Sequence, residues 1–319
     1  MKSLTKIANR LMCDLSAFLQ INPKFCLPYN LLLEPTNICN LHCPICANGS
    51  GKMNSLQKGK MDFELFKTII NELSPYLYEA LLWGYGEPII HERIYDMIKY
   101  IENKKIKTVI STNAQLIKLD DARKLVDSGL SRIIIALDGA SETTYQIYRK
   151  GGKFNNVIRT LQFLNQAKDE VKSNKPEIRL QFIVMKHNEH EIESIKLLAK
   201  EYNAKLKLKT AVVNDETKDF LPSKSEYSRF SLKNNKLAPK DKQPKSCPYI
   251  WKWATINWDG SIVPCCKDPM RDHQVGSILE NNSFLNVWTS KEFKHFRRTF
   301  LTDKMSLKRC SICVLPKES

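Results

Sequence analysis

Residues 36–49, TNICNLHCPICANG, hold three cysteines, Cys39, Cys43 and Cys46, in a CxxxCxxC spacing. A structural zinc site closes with four ligands, so three clustered thiolates leave such a site one ligand short. An iron–sulfur cubane held by three thiolates instead leaves one iron with open coordination. The spacing therefore predicts a cluster whose open iron can bind and activate another molecule.

Length and composition indicate an ordinary globular chain. Its 319 residues are 42% hydrophobic and 26% charged, with 11 Gly and 14 Pro, which argues against fibrous and disordered classes. The ten cysteines do not indicate a secreted disulfide framework, because such frameworks occur in short chains that follow a signal peptide. Lys6, Arg10 and Asp14 interrupt the N-terminal apolar residues, and no apolar run is long enough for a membrane span. We therefore expect a cytoplasmic protein with no membrane partner.

Short apolar runs alternate with longer amphipathic stretches across residues 31–213, a pattern typical of strands and helices around a parallel sheet. Six strand–helix units are too few for the complete eight-unit barrel, so we expect an α/β fold of the partial (β/α)6 TIM-like barrel type. In such folds the chemistry collects at the C-terminal ends of the strands. The predicted strands are residues 30–36, 79–86, 107–113, 132–138, 178–185 and 204–213.

Motifs follow four of these strands in succession. The cysteine trio follows the first, GYGEP (84–88) ends the second, STNA (111–114) ends the third and LDGAS (137–141) ends the fourth. Because the C-terminal ends of neighbouring parallel strands lie at one edge, we expect the four motifs to meet at one mouth.

The chain is predicted to have four segments. Residues 1–29 form an amphipathic helical extension, interpreted as a lid or packing helix, whose apolar face carries Leu4, Ile7, Leu11, Leu15 and Phe18. Residues 30–214 form the barrel, and the polar, lysine-rich residues 215–246 form a linker or mobile segment. Residues 247–319 hold five of the ten Cys and four of the five Trp, which predicts a small metal-supported module.

The C-terminal module has its own cysteine pattern. Asp259-Gly260 lies between two β-branched runs and predicts a hairpin turn. Adjacent strand residues point to opposite faces, so we do not expect both Cys265 and Cys266 to face one metal centre. With one member of that pair the module offers four thiolates, enough to close an iron–sulfur or a zinc site. The other three are Cys247, Cys310 and Cys313.

Together these motifs resemble the radical S-adenosylmethionine (SAM) enzymes, over about residues 31–213. The resemblance implies a 4Fe–4S cluster held by Cys39, Cys43 and Cys46, whose unligated iron chelates the amino and carboxylate groups of SAM. GYGEP resembles the family's Gly-Gly-Glu-Pro motif, with Tyr85 in place of the second family glycine. It implies a site for the methionine amino group formed by Gly84, Tyr85, Gly86 and Glu87.

Three further positions follow from the same resemblance. STN matches the family's ribose-contacting strand end, which implies that Ser111 and Asn113 contact the ribose, and ALDG places Asp138 beside the cofactor. The stretch ETTYQIYRKGG implies that Arg149 pairs with the methionine carboxylate, as a guanidinium fork does well. Simpler interpretations stay open, namely a helix-surface arginine for Arg149 and a helix-capping carboxylate beside Pro88 for Glu87.

The C-terminal module resembles the auxiliary-cluster extensions called SPASM and twitch, through DGSIVPC, GSI and the VW before a terminal CxxC. The resemblance implies a second 4Fe–4S cluster, and five cysteines favour the one-cluster twitch form. Cys265 is assigned as the ligand by analogy with the family's PC position, which leaves Cys266 as a buried thiol or a hydrogen donor. The implied auxiliary ligands are Cys247, Cys265, Cys310 and Cys313.

The implied activity is reductive cleavage of SAM to a 5′-deoxyadenosyl radical, which abstracts a hydrogen atom from the substrate. The electron comes from an external one-electron reductant such as flavodoxin or ferredoxin. Only residues 1–29 precede the first strand, whereas peptide-maturing relatives often carry a domain there. We therefore expect an oxidoreductase or epimerase that dehydrogenates or epimerises a small polar, sugar- or cyclitol-like molecule, with a maturase of peptides or protein side chains as the alternative.

The net charge of +16 adds little, because the lysines are spread along the chain. It leaves an anionic small-molecule substrate open. A remote alternative is a non-enzymatic zinc protein that binds nucleic acid. That interpretation does not explain why four motifs end successive strands, so nucleic acid is not the expected partner.

Overall fold

The computed structural model of the chain describes residues 4–22, 26–240 and 246–314. Parts of the predicted segments at residues 1–3, 23–25, 241–245 and 315–319 lie outside this range. The helices in the described ranges are α1 Leu4–Leu19, α2 Phe63–Leu73, α3 Ile94–Asn103, α4 Leu119–Asp127, α5 Glu142–Tyr148, α6 Phe154–Glu170, α7 Ile192–Glu201, α8 Tyr249–Lys252, α9 Ile278–Asn281, α10 Phe284–Trp288 and α11 Lys291–Thr302. The strands there are β1 Asn30–Leu33, β2 Glu79–Leu82, β3 Lys107–Thr112, β4 Arg132–Ala136, β5 Glu177–Val184, β6 Lys205–Thr210, β7 Phe230–Lys233, β8 Lys236–Pro239, β9 Trp253–Ile256, β10 Ser261–Val263 and β11 Gly276–Ser277.

The described residues form two compact units. The first unit comprises the described parts of residues 4–38, 55–109 and 246–313, and the second comprises residues 39–54, 110–240 and 314. All six predicted strands are present as β1 to β6. Five of them are shorter than their predicted runs, and β5 has the same length but is shifted by one residue. The predicted α/β class with mostly parallel strands is confirmed.

In the first unit the strand order is β11-β10-β9-β1-β2. Strand β1 lies between two parallel neighbours: Leu31 is opposite Ala80 of β2 and opposite Ala254 of β9. Strands β9 and β10 are antiparallel and form the predicted hairpin, in which Gly260 takes the left-handed conformation with φ +81°. The C-terminal module therefore contributes a strand directly beside β1, an arrangement that the sequence pattern did not predict.

In the second unit β4, β5 and β6 pair in parallel. Every second residue of β5 is buried, as expected for a strand with one face toward a packed core. Apolar side chains of β4 and β5 such as Ile135, Leu180 and Phe182 are fully buried there. Helix α2 of the first unit buries one face, because its Phe66, Ile69, Ile70 and Leu73 recur at the three- and four-residue spacing of an amphipathic helix.

Two predicted segments differ in the structure. The helix predicted over residues 1–29 ends at Leu19. The lysine-rich segment predicted as a linker contains 3-10 helices at Asp215–Phe220 and Ser225–Tyr227 and the hairpin β7–β8. Asn234 and Asn235 form the two-residue turn of this hairpin, and both have positive φ. The Asn-Asn pair was the available sequence signal for the turn. No described helix has the length and hydrophobicity needed to cross a bilayer.

The helical layer of the second unit offers a matched stability test. Leu125 of α4 is completely buried, whereas Leu197 of α7 is 69% exposed. We expect Leu125→Ala to lower the free energy of unfolding by about 2–5 kcal/mol, because it leaves a cavity. Leu197→Ala makes the same change of helix propensity. Its free energy of unfolding should stay within about 0.5 kcal/mol of that of the parent chain. Urea unfolding of the apo chain followed by circular dichroism measures both, and equal effects would contradict the assigned burial.

Candidate active site

The cysteine loop, residues 39–54, folds as consecutive turns in the second unit. The Cys46 N–H donates to the Cys43 carbonyl at 3.1 Å, and the Ser50 N–H donates to the Cys46 carbonyl at 2.9 Å. Gly49 lies directly against Cys43, since a Cβ at Gly49 would be 2.4 Å from the Cys43 nitrogen. Cys43 is buried, Cys39 and Cys46 are half-buried, and all three carry thiols. Three thiol donors on one short loop fit a cubane that leaves one iron open.

An apolar cluster packs around this loop. Phe220 and Leu237, from the segment predicted as a linker, pack against this cluster. Lys52 of the loop also pairs with Glu216 of that segment at 2.7 Å. Burial raises the pKa of the Cys43 thiol, and the nearby Arg149 guanidinium opposes that shift. The structured segment 215–240 therefore helps to keep water from Cys43. The buried members of the cluster are Leu41, Cys43, Tyr148, Met185, Ala211, Val213, Phe230 and Val314.

Arg149 follows the last residue of α5 and forms an ion pair with Asp138. Its Nε and Nη2 lie 2.6 and 2.5 Å from Asp138 Oδ2. Nη1 lies 3.7 Å from Cys43 Sγ. The Asp138 side chain is fully buried, and its Oδ1 accepts a hydrogen bond from the Ile183 N–H at 2.7 Å. The interpretation of Arg149 as a helix-surface arginine is therefore wrong.

The third strand brings another predicted residue to the cysteine loop. Asn113 is buried, and its Nδ2 donates to Asn40 Oδ1 at 2.9 Å and lies 3.9 Å from Cys39 Sγ. Ser111 is half-buried in β3. The second unit thus brings Asn113, Asp138 and Arg149 together with the cysteine loop, although they come from three separate places along the chain.

In the first unit, GYGEP packs closely against the residues that follow β1. A Cβ at Gly86 would lie 2.1 Å from the Thr36 carbonyl oxygen, and a Cβ at Gly84 would lie 2.3 Å from Glu34 Oε1. Only glycine fits at either position without movement. The backbone of the motif therefore lies in close contact with the segment that follows β1.

Glu34 is a residue that the sequence analysis missed. It is buried directly after β1, its Oε1 accepts from the Tyr85 N–H at 2.9 Å, and burial raises its pKa. The Tyr85 hydroxyl in turn donates to the Cys266 carbonyl at 3.0 Å. A carboxylate at the end of the apolar run NLLLE was the available signal.

Glu87 is buried and caps the 3-10 helix Pro88–Ile90, with its Oε1 accepting from the Ile89 N–H at 3.2 Å. The capping interpretation from the sequence therefore describes its contact in the structure. Contact of Glu87 with the methionine amino group stays a prediction.

The auxiliary cysteines of the C-terminal module interact with one another. Burial, and then neighbouring thiols, raise the pKa of Cys247 to about 11 and that of Cys310 to about 12. Cys265 and Cys313 both contribute to raising the pKa of Cys247 and that of Cys310. The four thiols therefore lie close enough for a negative charge on one to disfavour ionisation of the others. A positively charged iron centre would remove this repulsion, so the donor set fits a cluster held by four cysteine thiolates.

No three or more His, Cys, Asp or Glu side chains in the described parts of the chain converge to hold a single metal ion. A cubane distributes its thiolates over separate irons, so its ligands need not converge on one point.

Strand alternation does not supply the reason for expecting only one of Cys265 and Cys266 to face the cluster, and that expectation stays a prediction. Strand β10 ends at Val263, so both cysteines lie in the following turn, where strand alternation does not apply. Their thiols hydrogen-bond to each other. Of the four tryptophans in the module, Trp251 and Trp288 are buried, and Trp253 and Trp258 are partly exposed.

Comparison with known proteins identifies the family. Residues 33–208 match the radical SAM superfamily, and residues 247–314 match the SPASM iron–sulfur cluster-binding domain. The chain belongs to the radical SAM superfamily and carries a C-terminal SPASM domain. These domains imply a 4Fe–4S cluster that binds SAM and an auxiliary iron–sulfur cluster. The one-cluster twitch form stays a prediction.

Relatives and solved structures match along most of the chain. The tungsten-containing aldehyde ferredoxin oxidoreductase cofactor-modifying protein of Pyrococcus furiosus is 25% identical over 324 residues, covering 89% of this chain and 87% of that protein. The mycofactocin maturase MftC of Mycolicibacterium smegmatis is 25% identical, covering 90% and 75%. Streptococcus suis SuiB bound to S-adenosylmethionine is 16% identical with a TM-score of 0.69, covering 91% and 78%, a likeness of fold.

The ion pair beside Cys43 has a measurable effect on stability. Arg149→Met should lower the free energy of unfolding of the apo chain by about 3–5 kcal/mol, because Asp138 stays buried without its counter-charge. Adding Asp138→Asn should recover part of this loss. The control is Arg123→Met, which breaks the exposed Arg123–Glu170 pair and should have a much smaller effect. Urea unfolding compares the variants, and equal effects for Arg149 and Arg123 would contradict the buried pair.

Proposed function

We propose that this protein is a maturase, a radical SAM enzyme that removes a hydrogen atom from a peptide or from a cofactor precursor. The observation that carries the proposal is similarity along 89–90% of the chain to a cofactor-modifying protein and to a maturase. The likeness of fold to SuiB bound to its precursor peptide SuiA, with a TM-score of 0.69, supports a peptide. This proposal adopts the alternative of the sequence analysis in place of a sugar- or cyclitol-like substrate.

The argument for a small substrate depended on the short stretch before the first strand. That stretch does not separate the chain from the cofactor-modifying protein, because the similarity covers 89% of this chain and 87% of that protein. The short stretch therefore does not decide between maturation and epimerase or dehydrogenase chemistry on a sugar.

The cluster and SAM, when bound, supply one-electron cleavage of the sulfonium to a 5′-deoxyadenosyl radical. The chain supplies ligands, orientation and exclusion of water. Asp138 fixes Nε and Nη2 of Arg149, which leaves Nη1 for the methionine carboxylate and for the thiolate of Cys43. The residues proposed to hold the cluster are Cys39, Cys43 and Cys46, and those proposed to contact SAM are Gly84, Tyr85, Gly86, Glu87, Ser111, Asn113, Asp138 and Arg149.

The decisive experiment asks which class of molecule gives up the hydrogen. Anaerobic, reconstituted enzyme with SAM and dithionite is incubated with a perdeuterated cell extract that is separated by size into polypeptides and small molecules. A maturase of peptides should place deuterium in 5′-deoxyadenosine only with the polypeptide fraction, and protease treatment should abolish the transfer. A cofactor-precursor substrate should act in the small-molecule fraction. Mass spectrometry of 5′-deoxyadenosine gives the readout.

Cys39→Ala is the control, because it removes a proposed cluster ligand and should abolish 5′-deoxyadenosine in both fractions. If the deuterium comes from a sugar or cyclitol purified from the small-molecule fraction, the maturase proposal is wrong.

Adjacent cysteines provide a matched pair for the auxiliary cluster. We expect Cys265→Ala to lose about four iron atoms per chain, because Cys265 interacts with both Cys247 and Cys310. Cys266→Ala should retain its iron. Iron and labile sulfide analysis with electron paramagnetic resonance measures the difference, and the reverse result would assign Cys266 as the ligand. Normal turnover by Cys266→Ala would exclude it as the hydrogen donor.

A further inference from the structure

Helix α1 packs with its polar face inward. Asn9 and the Leu27 backbone exchange two hydrogen bonds of 2.8 Å, and Cys13 Sγ donates to the Leu27 carbonyl at 3.1 Å. The buried residues of α1 are Asn9, Cys13 and Ser16. An amphipathic helix on a globular protein normally buries its apolar stripe, so the opposite arrangement needs an explanation.

The apolar face of α1 is exposed. We call it the outer stripe: Leu4 (85% exposed), Ile7 (42%), Leu11 (64%), Met12 (37%), Leu15 (57%), Phe18 (82%) and Leu19 (52%). At roughly 200 Å² for each fully exposed side chain of this size, the outer stripe presents about 840 Å² of apolar surface. The largest apolar patch of a typical monomer is about 300–600 Å². An area of this size marks an interaction surface.

Five of the seven side chains of the outer stripe have the same spacing in both directions. From Leu4 through Ile7, Leu11 and Leu15 to Phe18 the steps are three, four, four and three residues. A two-fold axis at Leu11 therefore places Leu4 opposite Phe18 of a second copy, and Ile7 opposite Leu15. This is the self-complementary geometry of an isologous interface.

We propose that a second copy of this chain covers the outer stripe, with the two α1 helices antiparallel and their two-fold axis at Leu11. The exposed area agrees with the roughly 800 Å² per partner that a stable dimer buries. An anionic lipid surface fits less well. Of the two basic residues of α1, Arg10 already pairs with Asp14 at 3.6 Å and lies over the rings of Tyr29 and Tyr78, and Lys6 is partly buried. Binding of an amphipathic helix to such a surface needs free basic side chains beside the apolar face.

The first test uses the full-length, anaerobically reconstituted protein in analytical ultracentrifugation. The parent chain should be a dimer. Leu11→Glu places two carboxylates against each other at the axis and should raise the dimer dissociation constant about a hundredfold or more. Leu197→Glu introduces the same charge at a 69% exposed leucine of α7 and should leave the dimer intact. Unchanged circular dichroism of Leu11→Glu excludes misfolding.

The second test examines the antiparallel pairing directly. Leu4→Lys and Phe18→Glu should each weaken the dimer, because each places a charge against an apolar side chain of the other copy. The double variant Leu4→Lys/Phe18→Glu sets opposite charges against each other at both ends and should restore the affinity to within about tenfold of the parent. Within one helix the two positions are about 21 Å apart, so only a second copy brings them together.

A monomeric parent chain at micromolar concentration would overturn the proposal. It would also be overturned if the double variant dimerises no more tightly than the single variant with the lower dimer affinity. A dimer that Leu11→Glu leaves unchanged would also overturn it. Co-sedimentation of the parent, and not of Leu11→Glu, with phosphatidylserine–phosphatidylcholine vesicles would assign the outer stripe to a lipid surface instead.

Discussion

The buried carboxylate of Asp138 sets the main constraint on the second unit. A charge removed from water is tolerated only with a close counter-charge and hydrogen bonds to its remaining oxygen. Here Arg149 supplies the charge and the Ile183 N–H supplies the hydrogen bond, while Asn188 Nδ2 donates to the Asp138 backbone carbonyl at 3.1 Å. These contacts join the ends of β4, β5 and α5, and through Nη1 of Arg149 they reach Cys43 of the cysteine loop. One buried carboxylate therefore requires all of these partners at once.

Much of the barrel could be predicted because its signals are local. Buried parallel strands read as apolar runs, and the six runs located β1 to β6 to within a few residues. The close backbone approach at Gly86 likewise follows from a motif rich in glycine. Pairing between distant segments could not be predicted in this way. Strand β9 lies beside β1 although more than two hundred residues separate them, and no periodicity in either strand specifies its partner.

The failures have separate physical causes. The 3.6-residue period identifies which residues of α1 share a face, but it does not determine which face is buried, and there the hydrogen bonds of Asn9 decide the packing. Strand alternation was applied to Cys265 and Cys266, which lie beyond the end of β10. The lysine-rich composition of residues 215–240 concealed a hairpin, because the few apolar side chains that anchor it, Phe230 and Leu237, are spread over a polar background.

The position of β9 affects how this chain can be recombined with others. Because β9 completes the hydrogen bonding of β1 on one side, removal of the C-terminal module would leave β1 with an open edge, a template for aggregation. A chimaera joined within residues 240–247 would therefore have to import a β9 whose side chains fit Leu31 and Leu33. Exchange of auxiliary modules between radical SAM enzymes of this kind is thus limited by strand compatibility before it is limited by cluster chemistry.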